Sequence, residues 1–199
     1  MVDGLTPLAH KIMDTNPHAY ETLVARGGPS AMARELLDEV QPEQLLDRQA
    51  ASPVAAYAML AGLWLWHDGL DECHHIVQKS PGDLHRAFSG DLQMMTSTLA
   101  FWHAIMHRRE GDFSNSKYWY ARAAGHPVLQ ILASQAGSVV NQAPADKSLL
   151  RLVASGWNPN AFVDLVESLH TDQADARHSP AVRLQQLEWK VLFEFCARQ

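Results

Sequence analysis

The chain has 199 residues, with 16 Lys and Arg against 22 Asp and Glu, a formal net charge of −6, and 47% apolar residues. The acidic balance excludes the basic footprint that neutralises phosphates, so nucleic acid is a poor partner, and the apolar fraction excludes disorder over most of the chain. The apolar run 54–66 has 13 residues, short of the roughly 18–20 that a membrane span needs.

In chain order the pattern predicts helices and no convincing period-two strand. Pro7–Asp14 and 18–26 read as two short helices broken by Asn16-Pro17. After the turn Gly27-Gly28-Pro29, Ser30 caps a helix to Val40, which Pro42 ends. Ser52-Pro53 is an N-cap followed by Pro at the first helical position and opens a helix to Asp68. Gly69 breaks it, and a second helix over 70–79 is stopped by Ser80-Pro81-Gly82. A long helix over 91–110 turns at Gly111-Asp112 into a returning helix over 113–124, stopped by Gly125-His126-Pro127. A shorter helix near 128–136 leads to a linker at 137–147. Helices at 147–154, 159–170 (capped by Asn158) and 180–197 (capped by Ser179) complete the chain. The expectation is a single all-α domain over 1–199, a helical-hairpin bundle of roughly ten helices with no significant sheet.

The C-terminal helix carries two apolar faces, Leu184, Leu187, Val191, Phe195 and Val182, Trp189, Phe193, Cys196, about 150° apart at 100° per residue. It is expected to lie in a central groove rather than to bury its second face in a homodimer. The start MVDGLTPLAHKI lacks the features of a secretion signal, and Cys73 and Cys196 form no disulfide framework or zinc signature, which predicts a soluble cytoplasmic protein, monomer or homodimer.

The core hairpins, 53–80 and 91–125, look like copies offset by 43 residues, which superposes Ala61 on Ala104, Leu70 on Phe113, Cys73 on Ser116 and Val77 on Tyr120. The second copy resembles a tetratricopeptide hairpin, with Ala104 and Ser116 at the small positions and Tyr120 at the aromatic one. A broader resemblance rests on W-H-A-I-M-H-R-R-E-G-D-F-S-N-S-K-Y-W (102–119), L-W-L-W-H-D-G-L-D-E-C-H (63–74), G-W-N-P-N-A-F-V-D-L (156–165) and L-Q-Q-L-E-W-K-V-L-F (184–193). These strings resemble the hallmarks of an uncharacterised all-helical family of bacterial and fungal proteins, which implies one coherent domain from about residue 54 onward and no particular chemistry.

Seven of the 11 histidines and four of the six tryptophans fall between residues 64 and 126, which marks the region for any site. On the helix 91–110, Leu92, Met95, Leu99, Trp102 and Met106 form an apolar stripe, and His103, His107 and Glu110 share an arc of about 60° at its edge. The 43-residue offset matches His67 to Glu110, so His67, His103, His107 and Glu110 are the candidate row for a divalent metal. The competing expectation is a satisfied structural network, with histidines bonded to tyrosine or backbone and Glu110 to an arginine. Arg108 and Arg109 read as solvated charges or as guanidinium forks for an anion. With Trp102, Asn115, Tyr118, Trp119 and Arg122 they make the candidate ligand-binding set, suited to a small polar ligand or peptide.

Trp66-His67-Asp68-Gly69 resembles the helical HD phosphohydrolases, which would enlist His18 and Asp112 as outer metal ligands. No phosphate loop or nucleophile elbow is present, and Asp71-Glu72-x-His74-His75 reads only as acids favouring a helix N-terminus. The favoured expectation is a helical binding or scaffold protein with a His/Glu/Arg/Trp-lined groove over 67–122. The alternatives are a metal-dependent HD-like hydrolase using His67, His103, His107 and a carboxylate, and a purely structural subunit.

Overall fold

Side chains start most of the helices. In the computed structural model, which describes residues 4–47, 52–86 and 90–199, Thr6, Ser30, Ser52, Ser80, Asp91, Asp112, Asp146 and Asn158 each accept a backbone N–H within the first turn that follows. Each cap satisfies one of the amides that a helix start leaves without an intrahelical partner. The helices are α1 (Pro7–Asp14), α2 (Ala31–Glu39), α3 (Pro53–Trp66), α4 (Leu70–Val77), α5 (Pro81–Leu84), α6 (Leu92–Glu110), α7 (Phe113–Arg122), α8 (Val128–Asn141), α9 (Lys147–Arg151), α10 (Pro159–Leu169) and α11 (His178–Arg198), with a 3-10 turn at Pro42–Leu45. The described residues contain no strand, only two isolated bridges, so the fold is all-α. No helix among them is long and apolar enough to cross a membrane.

α3 is the centre of the molecule. From Val54 to Leu65 all its residues but Tyr57 are buried, because the helix is apolar on every side and is covered by α4, α6, α11 and the 3-10 turn. Two helix pairs are built on it. α3 turns into α4 through Asp68 and Gly69, and α6 turns into α7 through Gly111, whose left-handed φ of 93° ends the long helix. In the second pair the small residues meet as expected: Ser116 Oγ donates to the Ala104 carbonyl at 2.8 Å, and both residues are fully buried. α4 then lies against α6, which brings the two pairs face to face.

α11 occupies the central position expected of it, packed on α3, α8 and α10. Leu184 and Val191 on one face, and Trp189, Phe193 and Cys196 on the other, are all buried within the same chain. Gly62 allows the close approach: a Cβ there would stand 2.8 Å from the Trp102 indole and 3.2 Å from Phe193. The Gly62 carbonyl accepts the Trp189 indole N–H at 2.8 Å.

Several expectations are corrected. Residues 18–26 form turns rather than a helix, because neighbouring side chains claim their carbonyls. Gln185 donates to Tyr20 and Thr22, Arg109 also donates to Thr22, and Tyr20 adopts a left-handed φ of 62°. The linker at 137–147 shortens to 142–146, since the stripe Val128, Leu132, Ala136, Val140 holds α8 helical to Asn141. Ser80-Pro81-Gly82 stops α4 but also starts α5, through a capping box with Asp83. α11 begins two residues early, at His178 rather than at a Ser179 cap. Asp175 binds the Arg177 amide and guanidinium there, which holds its carboxyl down to about 2. Leu92 is 60% exposed, because the apolar stripe of α6 meets its neighbours only from Met95 onward.

Candidate functional site

α4 lies on α6, and the contact is made by imidazoles. His103 and His107, one turn apart on α6, stack with ring centroids 4.8 Å apart and planes 20° apart. His74 of α4 meets them edge-on at 4.9 and 5.7 Å. Trp119 of α7 covers the far side, stacked on His103 at 3.8 Å. One ring nitrogen from each histidine lies within 4.8 Å of the other two.

Two polar groups orient His107. Its Nδ1 faces the Glu110 carboxylate at 2.8 Å, and its Nε2 faces the Asn115 side-chain amide at 3.0 Å. The carboxylate is an acceptor only, so it selects the Nδ1–H tautomer and leaves the Nε2 lone pair turned toward Asn115. His103 differs. It is 2% exposed, and neither of its nitrogens has a hydrogen-bond partner. Leaving such a group unsatisfied costs about 1–3 kcal/mol. Burial first, then the neighbouring His107 and His74, push its pKa down to about 3. The ring is therefore neutral at physiological pH, the state in which imidazole is a metal ligand.

The predicted row is thus half assembled. His103 and His107 are present, and Glu110, half-exposed, orients His107. His67 is elsewhere. It ends α3 and its Nε2 bonds the Ile12 carbonyl at 3.0 Å, with burial lowering its pKa. The 43-residue offset put His67 level with Glu110 in equivalent pairs. α6 packs on both α3 and α4, however, and it is α4 that brings the third imidazole, His74, to the pair. The spacing Leu70, His74, Val77 marks one face of α4 and was the signal that could have found it.

The arginine forks are occupied from within, which corrects both the solvated and the anion-binding expectations. Arg108 is fully buried and donates to Tyr120 Oη and to the Glu188 carboxylate, and its guanidinium lies 4.6 Å over the Phe162 ring. Tyr120 Oη also donates to Glu188 at 2.9 Å, closing a buried triangle that joins α6, α7 and α11. Arg109, 1% exposed, donates to Asp68 and the Thr22 carbonyl and lies 4.4 Å over Tyr20. Glu188 and Gln185, both fully buried, are the polar residues that sequence reasoning missed.

Trp102 is buried in the core against Trp189, so no ligand reaches it without opening the fold. Asn115 and Trp119 turn toward the histidines. Tyr118 and Arg122 are exposed, with the guanidinium stacked 4.2 Å over the Tyr118 ring. The HD-like set does not form: His18 is exposed and bonds Glu21, Asp68 pairs with Arg109, and Asp112 caps α7. Among the described residues no cluster of three candidate ligands contains His67 or His18.

Comparison with protein-family models, with curated proteins and with solved structures finds no match. The chemistry of the site rests on its own residues.

Proposed function

We propose that this protein is a helical binding protein that holds a divalent transition metal between His74, His103 and His107. The observation that carries the reading is His103, a buried neutral imidazole with two unpartnered nitrogens beside two further imidazoles. A metal accepts the lone pair that no protein group uses. Tetrahedral zinc–imidazole bonds of ~2.0–2.1 Å require nitrogens ~3.3 Å apart with each lone pair aimed at the ion, so binding turns the stacked His103 and His107 rings out of parallel and takes His107 Nε2 from Asn115. The Glu110–His107 contact is the carboxylate–histidine arrangement that fixes a ligand's tautomer and raises its basicity. An all-imidazole set favours zinc, copper, nickel or iron over magnesium or calcium. The hairpin framework fits a tetratricopeptide-like binding module, supported by the Ser116–Ala104 contact at the small positions.

The test is cobalt(II) titration of untagged protein, followed by visible absorption and by calorimetry with zinc. The expected result is one equivalent bound in a tetrahedral ligand field. His74→Ala, at a half-buried position, lowers affinity at least ~10-fold, and Glu110→Gln lowers it by ~10–100-fold. Folded wild-type protein that binds neither ion saturably overturns the reading.

A further inference from the structure

A second hollow borders Trp119. Between α4–α5 and α6–α7 is a hollow of about 350 Å³, within the range of small-molecule sites. Val77, Leu99 and Trp119 give it apolar walls, and Gln78, Lys79, Ser80, Thr96 and Arg122 contribute its polar groups. No acidic side chain lines it. Two cations and no acid is an unusual lining on a chain of net charge −6.

Among the described residues neither cation makes a direct ion pair, although Lys79 lies close enough to Asp83 to add to the Ser80 hydrogen bonds in lowering its pKa. The buried Arg108 and Arg109, next to His107 in sequence, both form ion pairs. Arg122 is held in place by stacking over Tyr118 at 4.2 Å and Trp119 at 5.6 Å, which leaves its N–H donors for another acceptor. The nearby acids stay ionised but are turned to helix starts and do not line the hollow. Asp83 is bound into the Ser80 capping box, which lowers its pKa ahead of any effect of Lys79, and Asp91 caps α6.

We infer that this groove binds a small molecule combining a phosphomonoester with a flat apolar body, an aryl phosphate in its simplest form. A guanidinium fork and an ammonium together match a dianionic phosphate, and the apolar wall of Val77, Leu99 and Trp119 gives a ring a surface to pack against. None of the three histidines lines the groove, which shares only Trp119 with the histidine site.

The test is isothermal titration of the full chain, in EDTA so that no metal binds the phosphate, with phenyl phosphate, phenol and inorganic phosphate. Phenyl phosphate is expected to bind at one equivalent, and phenol and inorganic phosphate each at least ~10-fold more weakly. Arg122→Gln and Lys79→Gln are each expected to weaken phenyl phosphate ~10-fold at unchanged far-UV circular dichroism, and raised salt to weaken it further. Three results overturn the inference: no saturable binding to the wild type, phenol or inorganic phosphate binding as tightly as phenyl phosphate, or full affinity in both variants.

Discussion

Replacing Glu188 by leucine removes one corner of the triangle it forms with Arg108 and Tyr120, and leaves a guanidinium in a place with no water. Arg108 and Glu188 have side chains that are 0% exposed, so solvent cannot take over the lost contact. Removing one partner of a buried pair costs ~3–5 kcal/mol, because the remaining charge stays buried and uncompensated. At ~2–4 °C per kcal/mol for a chain of this size, the melting temperature should fall by ~6–20 °C. The same reasoning predicts that the pair itself is worth far less than its breakage. A triple variant, Arg108→Met, Tyr120→Phe and Glu188→Leu, should therefore be more stable than Glu188→Leu alone. Glu188→Gln, which keeps an acceptor for Tyr120 but loses the charge, should fall between wild type and Glu188→Leu. Urea unfolding followed by tryptophan fluorescence measures all of these as midpoint shifts at constant m-value. A loss below ~1 kcal/mol for Glu188→Leu, or a triple variant less stable than the single, would refute the argument.

Gly62→Ala should destabilise by ~1–3 kcal/mol, since its Cβ would stand 2.8 Å from the rigid Trp102 ring, whereas Gly137→Ala, with nothing within 4 Å, should stabilise α8 by ~0.5–1 kcal/mol; thermal melts of the pair check both signs. Ala104→Leu should lower the melting temperature through overpacking against Ser116, and Lys79→Ala should not; equal, negligible shifts would remove the close-contact account of the α6–α7 pair. Burial holds His103 down to about 3 and His126 down to about 4, and lowers His67 as well, so the unfolded chain binds protons that the folded chain refuses. The stability these neutral rings contribute is complete above pH ~6.5 and is lost as pH falls toward 4, at up to ~1.4 kcal/mol per pH unit for each ring. His126 shows why: its Nδ1 accepts the Val128 amide at 3.2 Å, and protonation would set two donors against each other. Melting temperatures in EDTA from pH 7 to 4.5 should fall steadily, and His126→Gln should flatten the slope; a pH-independent melting temperature would contradict the assignment.

The local signals worked where the physics is local. Ser30, Ser52 and Asn158 cap the helices they were expected to cap, and Gly111 ends α6 in the left-handed region, because a cap and its amide lie within four residues of each other. The two apolar faces of α11 likewise determined that it must be covered on both sides. Patterning alone therefore established an all-α chain and a buried C-terminal helix, and left the central place of α3 to the packing. It could not establish what becomes of a polar residue inside that arrangement. Arg108 finds Glu188 80 residues away and Arg109 finds Asp68 41 residues away, so whether they are solvated or buried depends on which helices meet. The turns at 18–26 follow the same rule: their helical pattern yields to donors from Arg109 and Gln185, which tertiary packing delivers. The histidine site divides along this line too. His103 and His107 share a face because they are four residues apart on one helix, which the sequence determines. His74 joins them only because it is α4, rather than the end of α3 that carries His67, that brings an imidazole to the pair.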